Sequence, residues 1–241
     1  MRRSAVLGLL AVAIISSCGT PTASPEPNGT VTTPGPSAAA GGSLRYVALG
    51  DSYTIGTSVG VTERWPDQLV EAVGLQPPSL DLVANLGVNG FTSRDVLDVE
   101  IPQLDALRPE FVTLLVGVND VVQGVPEDTY RRNLNAILDD LVGRVGADRI
   151  LVVTTPDYTV TPAGGDFGDP ARQAAGIRAN NAILTAVAEG RGIAVVDIHD
   201  ISLLAASDRS LVASDGLHPS AAQYVLWVER MVPVVEELLA L

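Results

Sequence analysis

Leu44-Arg45-Tyr46-Val47-Ala48-Leu49 is a short β-rich run set directly against Gly50-Asp51-Ser52-Tyr53. The run is mostly apolar and does not alternate, the pattern of a strand covered on both faces. Leu80 to Asn85, Phe111 to Val116, Ile150 to Thr154 and Ile193 to Asp197 read the same way. Longer segments between them predict helices over Pro66 to Val73, Ser93 to Leu107, Glu127 to Val145 and Pro170 to Arg191. A last helix is expected from Ser220 to about Leu239, kinked where Pro233 removes a backbone donor. Asp169-Pro170 and Pro126-Glu127-Asp128 supply proline and acids where a first helical turn tolerates them. Five strands separated by helices imply a parallel sheet with helices on both faces, and no internal repeat interrupts the pattern.

In such a sheet, reactive groups collect at the carboxyl ends of the strands. Ser52 follows the first strand, Gly90 the second and Gly117-Val118-Asn119-Asp120 the third. Asp215-Gly216-Leu217-His218 follows the fifth, in the loop leading to the last helix. A serine hydroxyl becomes a useful nucleophile when an imidazole takes its proton, and a carboxylate then fixes the imidazole tautomer. Ser52, His218 and Asp215 are those residue types, and the Asp-x-x-His spacing lets Asp215 reach His218 Nδ1 within one tight segment. Acyl transfer also needs donors aimed at the developing oxyanion. Asn119 offers a side-chain NH₂, and glycine lets a backbone N–H approach closely, so Asn119, Gly90 and the Ser52 amide are the candidates. Gly87 is the alternative to Gly90. We prefer Gly90 because Phe91-Thr92-Ser93 follows it as a helix start.

Gly50-Asp51-Ser52, Gly90, Gly117-x-Asn119-Asp120 and Asp215-x-x-His218, in that order, resemble the blocks of the SGNH, or GDSL, hydrolase family. The resemblance spans residues 44 to 241. It implies a three-layer α/β/α sandwich of flavodoxin-like type with a five-stranded parallel sheet, and a serine esterase acting through an acyl-enzyme. It further implies Ser52 as nucleophile, His218 as base, Asp215 as its partner, and an oxyanion hole from Gly90, Asn119 and the Ser52 amide, with no cofactor. The resemblance also suggests a more open, mobile site than that of lidded lipases. Thr54 stands where the α/β-hydrolase elbow needs its second glycine, which disfavours that fold.

The chain has 241 residues, 46% of them hydrophobic and only 4% aromatic, so the core must come from Val, Leu, Ile and Ala. A net charge of −13 disfavours nucleic acid as a partner. Arg2 and Arg3 precede an apolar run from Ala5 to Ile15, too short for a comfortable permanent span. Ile15-Ser16-Ser17-Cys18 resembles the lipobox of bacterial lipoproteins, which implies lipidation of Cys18. The alternative is a conventional secretory signal cleaved nearby. Cys18 is the only cysteine, so no internal disulfide forms. Between positions 19 and 43 only Glu26, Asn28 and Val31 are not Gly, Pro, Ser, Thr or Ala, which makes a tether of about 25–30 Å end to end. The expected organisation is a lipoprotein signal over 1–17, the lipidated Cys18 and linker over 18–43, and the hydrolase domain over 44–241. Export to the outer face of the cytoplasmic membrane follows, with secretion as the fallback.

Each motif alone has a plainer reading. Asp51-Ser52 and Asn119-Asp120 are common turn or cap pairs, and a lone histidine before proline is usually a surface or capping residue. Their convergence at neighbouring strand ends favours catalysis. His199, flanked by Asp197 and Asp200, reads as structural, because two histidines and no cysteine in the mature domain leave few ligands for a metal. Asp157 and Tyr158 are expected to shape the pocket, and Asp51 to brace the nucleophile loop. The substrate is a small-molecule, lipid or carbohydrate ester, its acyl and alcohol parts unread. Transfer of the acyl group to a cell-wall sugar and a non-catalytic ligand-binding lipoprotein are the alternatives. Oligomeric state is not encoded in any readable pattern.

Overall fold

The computed structural model describes residues 42–74 and 78–240. Residues 1–41 lie outside it, and with them the expected signal segment, Cys18 and nearly all of the expected linker.

In chain order the structure begins β1 (Ser43–Gly50), α1 (Ser52–Ile55), α2 (Trp65–Val73), β2 (Ser79–Asn85), α3 (Ser93–Asp95), α4 (Leu104–Leu107) and β3 (Phe111–Leu115). It continues with α5 (Val118–Val122), α6 (Glu127–Val145), β4 (Ile150–Val153), α7 (Pro170–Glu189), β5 (Ala194–Val196), α8 (His199–Leu203) and α9 (Ala221–Leu239). All five expected strands form, and every pairing is parallel, in the order β2-β1-β3-β4-β5. β1 starts at Ser43, paired with Ser79, so the residue expected to end the linker already belongs to the sheet.

The faces follow residue parity, as a period of two requires. Tyr46 and Ala48 of β1 share one core with Phe111 and Leu115 of β3 and Leu151 and Val153 of β4. Trp65 and Leu69 of α2, with Tyr224, Trp227 and Met231 of α9, cover that face. Val47 and Leu49 pack with Val112, Leu114, Ile150 and Val152 on the opposite face, under Leu134, Ile137 and Leu141 of α6 and Leu184 of α7. Burying each such side chain stabilises the fold by about 1.5–3 kcal/mol before chain entropy is set against it. The order departs in opposite directions from β1, to β2 on one side and β3 on the other. The loops after these strands therefore diverge and leave a crevice at their carboxyl ends.

One expected helix is not continuous. Over residues 93–107 the chain passes from α3 into a π-helical stretch (Val96–Glu100), a 3₁₀ turn (Ile101–Gln103) and α4. Pro102 has no N–H to continue an α-helical ladder, which fits the change of winding beside it. The ends of α7 are as expected: Asp169 Oδ1 accepts from Arg172 N at 2.8 Å, with Pro170 at the first position. α9 runs through Pro233 as one element, capped by Ser220.

Candidate active site

β1 ends on Gly50, whose φ of +149° is a conformation side chains rarely adopt. A Cβ there would sit 2.2 Å from the Leu115 carbonyl oxygen. The backbone then turns so that Asp51 caps α1: its Oδ1 accepts from Tyr53 N at 3.0 Å, and its carbonyl accepts from Thr54 N and Ile55 N. Ser52 thus becomes the first residue of α1, a position whose N–H has no intrahelical acceptor. Asp51 is fully buried, and burial pushes its carboxyl up to about 8 against the opposing Tyr53 N–H, with Asp120 adding a smaller upward effect. It braces the loop, as expected of it.

Asp215 and His218 meet within their own segment. His218 Nδ1 and Asp215 Oδ2 are 2.6 Å apart. Since a carboxylate only accepts, Nδ1 carries the proton and Nε2 keeps its lone pair for a serine hydroxyl. Asp215 Oδ1 accepts from Leu217 N at 2.9 Å and His218 N at 3.0 Å, and Oδ2 also accepts from Ser58 Oγ at 2.7 Å. Burial works against its charge, yet these hydrogen bonds together hold the carboxyl well below the usual carboxylate range. The Tyr53 ring lies 5.3 Å from the imidazole, centroid to centroid. Ser58 was not legible as a partner; its φ of +69°, unusual for a non-glycine, is visible only in the structure.

Of the two glycines after β2, the surroundings favour Gly90. The Gly87 N–H donates to Asn85 Oδ1 at 3.1 Å, and a Cβ on Gly87 would meet the backbone of Ile55 and Asp51 at 2.7 and 2.8 Å. Gly87 is therefore a packing position under α1. Gly90 has φ +83°, open space where a Cβ would stand, and an N–H with no partner among the described residues. Asn119 Nδ2 donates to Phe91 O at 3.0 Å and, at the limit of hydrogen bonding, faces Asp51 Oδ2 at 3.5 Å. One amide thus links the loops that follow β1, β2 and β3. Beneath it, Asp120 accepts from Ser93 Oγ at 2.6 Å and Ser93 N at 2.8 Å, which fixes the chain just after Gly90. Burial raises the Asp120 carboxyl, opposed by those two Ser93 bonds.

Ser52, Asn119 and His218 line one open pocket of about 250 Å³ of empty space, with Tyr53, Val118, Val122, Tyr158, Phe167 and Leu217. Residues 52 and 218 are thereby brought to one rim of the sheet. The direct bond from Ser52 Oγ to His218 Nε2 is not formed among the described residues; resting sites often leave this link long until substrate arrives. Tyr158 is where the sequence placed it. Its neighbour Asp157 instead caps its own loop, with Oδ1 accepting from Thr159 N at 3.0 Å and Thr159 Oγ1 at 2.6 Å. Phe167 packs edge-on against Tyr158 at 5.5 Å, and neither it nor Val118 and Val122 carried a signal that distinguishes pocket lining from core. His199 Nε2 is buried 3.8 Å from Asp157 Oδ2. Among the described residues no three His, Cys, Asp or Glu side chains are grouped to hold a metal ion, and no helix is long and apolar enough to cross a membrane.

Comparison with known proteins identifies the family and the fold. A profile of the GDSL-like Lipase/Acylhydrolase family matches residues 48–226. An arylesterase of Vibrio mimicus is 30% identical over 125 residues, 51% of this chain and 61% of that protein, so the match spans less than two thirds of the relative's length. A lipolytic protein of the G-D-S-L family from Veillonella parvula superposes with a TM-score of 0.64 at 17% identity, covering 80% of this chain and 98% of the other. The psychrotrophic esterase EstA of a Pseudoalteromonas species does so with a TM-score of 0.62 at 18% identity, covering 82% and 100%. These structural likenesses establish the shared α/β fold.

Proposed function

Because the chain belongs to the GDSL-like Lipase/Acylhydrolase family, we propose that it is a serine esterase that hydrolyses carboxylic esters through an acyl-enzyme. The observation that carries this reading is the single pocket walled by Ser52, Asn119 and His218, with Asp215 bonded to the far nitrogen of the imidazole. Ser52 Oγ attacks the ester carbonyl while His218 Nε2 takes its proton, and Asp215 stabilises the imidazolium. The carbonyl oxygen becomes the oxyanion, received by the amides of Ser52 and Gly90 and by the Asn119 side chain once it turns from Phe91. His218 returns the proton to the leaving alcohol, and water repeats the cycle to release the acid. The arylesterase likeness and the small, mostly apolar pocket favour short acyl groups or aryl esters. The wild type should hydrolyse a short p-nitrophenyl ester and Ser52→Ala should not; an alanine variant retaining most of the activity refutes the mechanism.

The domain also works, in this reading, outside the cytoplasmic membrane, held by a lipid on Cys18. The support is in the sequence: Arg2 and Arg3, the apolar run, and Ile15-Ser16-Ser17-Cys18. Metabolic labelling with an alkyne fatty acid should mark the wild type and not Cys18→Ser. Equal labelling of both, or recovery of the wild type in the soluble fraction without label, contradicts the anchor.

A further inference from the structure

Glu100 lies between the motifs that carry the proposed chemistry and has no part in them. It closes the π-helical stretch Val96–Glu100, a winding that often accompanies functional positions. Its side chain is completely buried under the nucleophile turn. Oε2 accepts the Gly50 N–H at 2.9 Å, and Oε1 has no hydrogen-bond partner among the described residues. Gly50 is held on its other side as well, since its carbonyl accepts from Val88 N at 3.2 Å. Gly50 is the last residue before Asp51-Ser52, so the direction in which β1 delivers the serine depends on this peptide.

The surroundings also fix the form of the group. The other acids acting on Glu100 are the carboxyls of Asp51 and Asp95, both of which favour its neutral form. Within its own stretch, Asp98 pairs with Arg94 of α3 at the surface. Arg45 of β1 is tied to the carbonyls of Leu107 and Arg108, at the opposite end of its strand from Gly50. On the buried face of α6 the ionisable group is Tyr130, whose phenol burial keeps neutral. The 3₁₀ turn Ile101–Gln103 brings no charge. Among the described residues no cation faces the carboxyl. Burial pushes it up to about 9, opposed by the Gly50 N–H and reinforced by Asp51 and Asp95.

We propose that Glu100 is a positioning residue for the nucleophile turn, holding the Gly50 N–H with a neutral, protonated carboxyl group. The inference rests on the esterase reading of the same site. It makes Glu100→Gln, which keeps a neutral acceptor of the same shape, different in kind from Glu100→Leu, which keeps bulk and loses the acceptor.

The test measures kcat and KM on a p-nitrophenyl ester and the melting temperature from pH 5 to 9 for the wild type, Glu100→Gln and Glu100→Leu. Glutamine should hold kcat within about threefold of wild type and leucine should lower it about tenfold or more, both with KM within about twofold. The melting temperature of Glu100→Gln should exceed that of wild type by a margin that widens with pH, because the wild type alone must keep an acid protonated. Glutamine as damaging as leucine, or a margin that does not widen, overturns the proposal. If leucine fails to fold, the glutamine kinetics and melting profile still decide it. A wild type inactive on all esters removes the esterase reading, a result distinct from an active wild type whose variants do not differ.

Discussion

Asp215 Oδ2 sits 2.6 Å from His218 Nδ1, three residues further along, and the same oxygen takes a 2.7 Å bond from Ser58, 157 residues upstream. The carboxylate is therefore oriented from both ends of the domain before any substrate binds. Asp215→Asn keeps the size and loses the acceptor-only character, which permits the wrong imidazole tautomer. We expect kcat to fall about 10²–10⁴-fold with KM little changed. Steady-state kinetics check this; a loss below about fivefold contradicts it.

Ser58 tests the second tie. Ser58→Ala and Ser58→Gly both remove the hydroxyl, so both should lower kcat by a similar, smaller factor, about three- to tenfold. They should differ in stability, since glycine accepts the φ of +69° and alanine does not, a gap of about 1 kcal/mol. Denaturant melts beside the kinetics read both quantities.

Gly50 and Gly90 share a positive φ and differ in their surroundings. A Cβ at Gly50 would meet the Leu115 oxygen at 2.2 Å, whereas one at Gly90 meets nothing within 4 Å. Gly50→Ala should fail to accumulate as folded protein. Gly90→Ala should fold, weakened by about 1–2 kcal/mol of backbone strain, and lose activity as its amide is displaced. Asn119→Ala should cost about 10²–10³ in kcat. Circular dichroism and kinetics on the purified variants distinguish misfolding from a lost donor.

The buried acids set the pH dependence of stability. The carboxyls of Asp51 and Glu100 are pushed up to about 8 and about 9 in the folded state, from ordinary values near 4. Between those limits the folded protein binds more protons than the unfolded chain, so stability falls as pH rises. Urea melts should therefore show declining stability from about pH 5 to 9. A flat or rising profile contradicts the burial of these acids in neutral form.

Val122 lines both the small pocket and a neighbouring groove that also includes Val121, Gly124, Val125, Arg172 and Gln173. Val122→Ala should join the two and shift the preferred acyl chain upward by about two or more carbons. Activity across p-nitrophenyl esters of increasing length reads this shift, and an unchanged optimum contradicts it.

The sheet was legible because the inner strands are covered on both faces, so the runs are mostly apolar instead of alternating, with Arg45, Asp81 and Thr113 among the exceptions. The positions of Ser52 and Asn119 followed from strand ends, since a parallel sheet sends such loops to one rim, whereas Asp215 and His218 lie past α8, in the loop that leads into α9. The 93–107 segment was misread as one helix because its apolar spacing persists through Pro102 while its hydrogen bonding does not. Ser58 and Glu100 carry no sequence signal: a serine in a turn and an acid in a helical segment look ordinary until long-range packing places one against Asp215 and the other beneath Gly50. Phe167 and Val122 were equally silent, because an apolar side chain reads alike whether it meets core or substrate.

The central claim is that Ser52 is the nucleophile, activated by His218. Intact-mass spectrometry with peptide mapping after exposure to a fluorophosphonate probe tests it directly. The account predicts one adduct on the wild type, located at Ser52, none on Ser52→Ala, and a greatly slowed reaction for His218→Ala. An unmodified Ser52 in folded protein, or an adduct at another residue that survives Ser52→Ala, would contradict it.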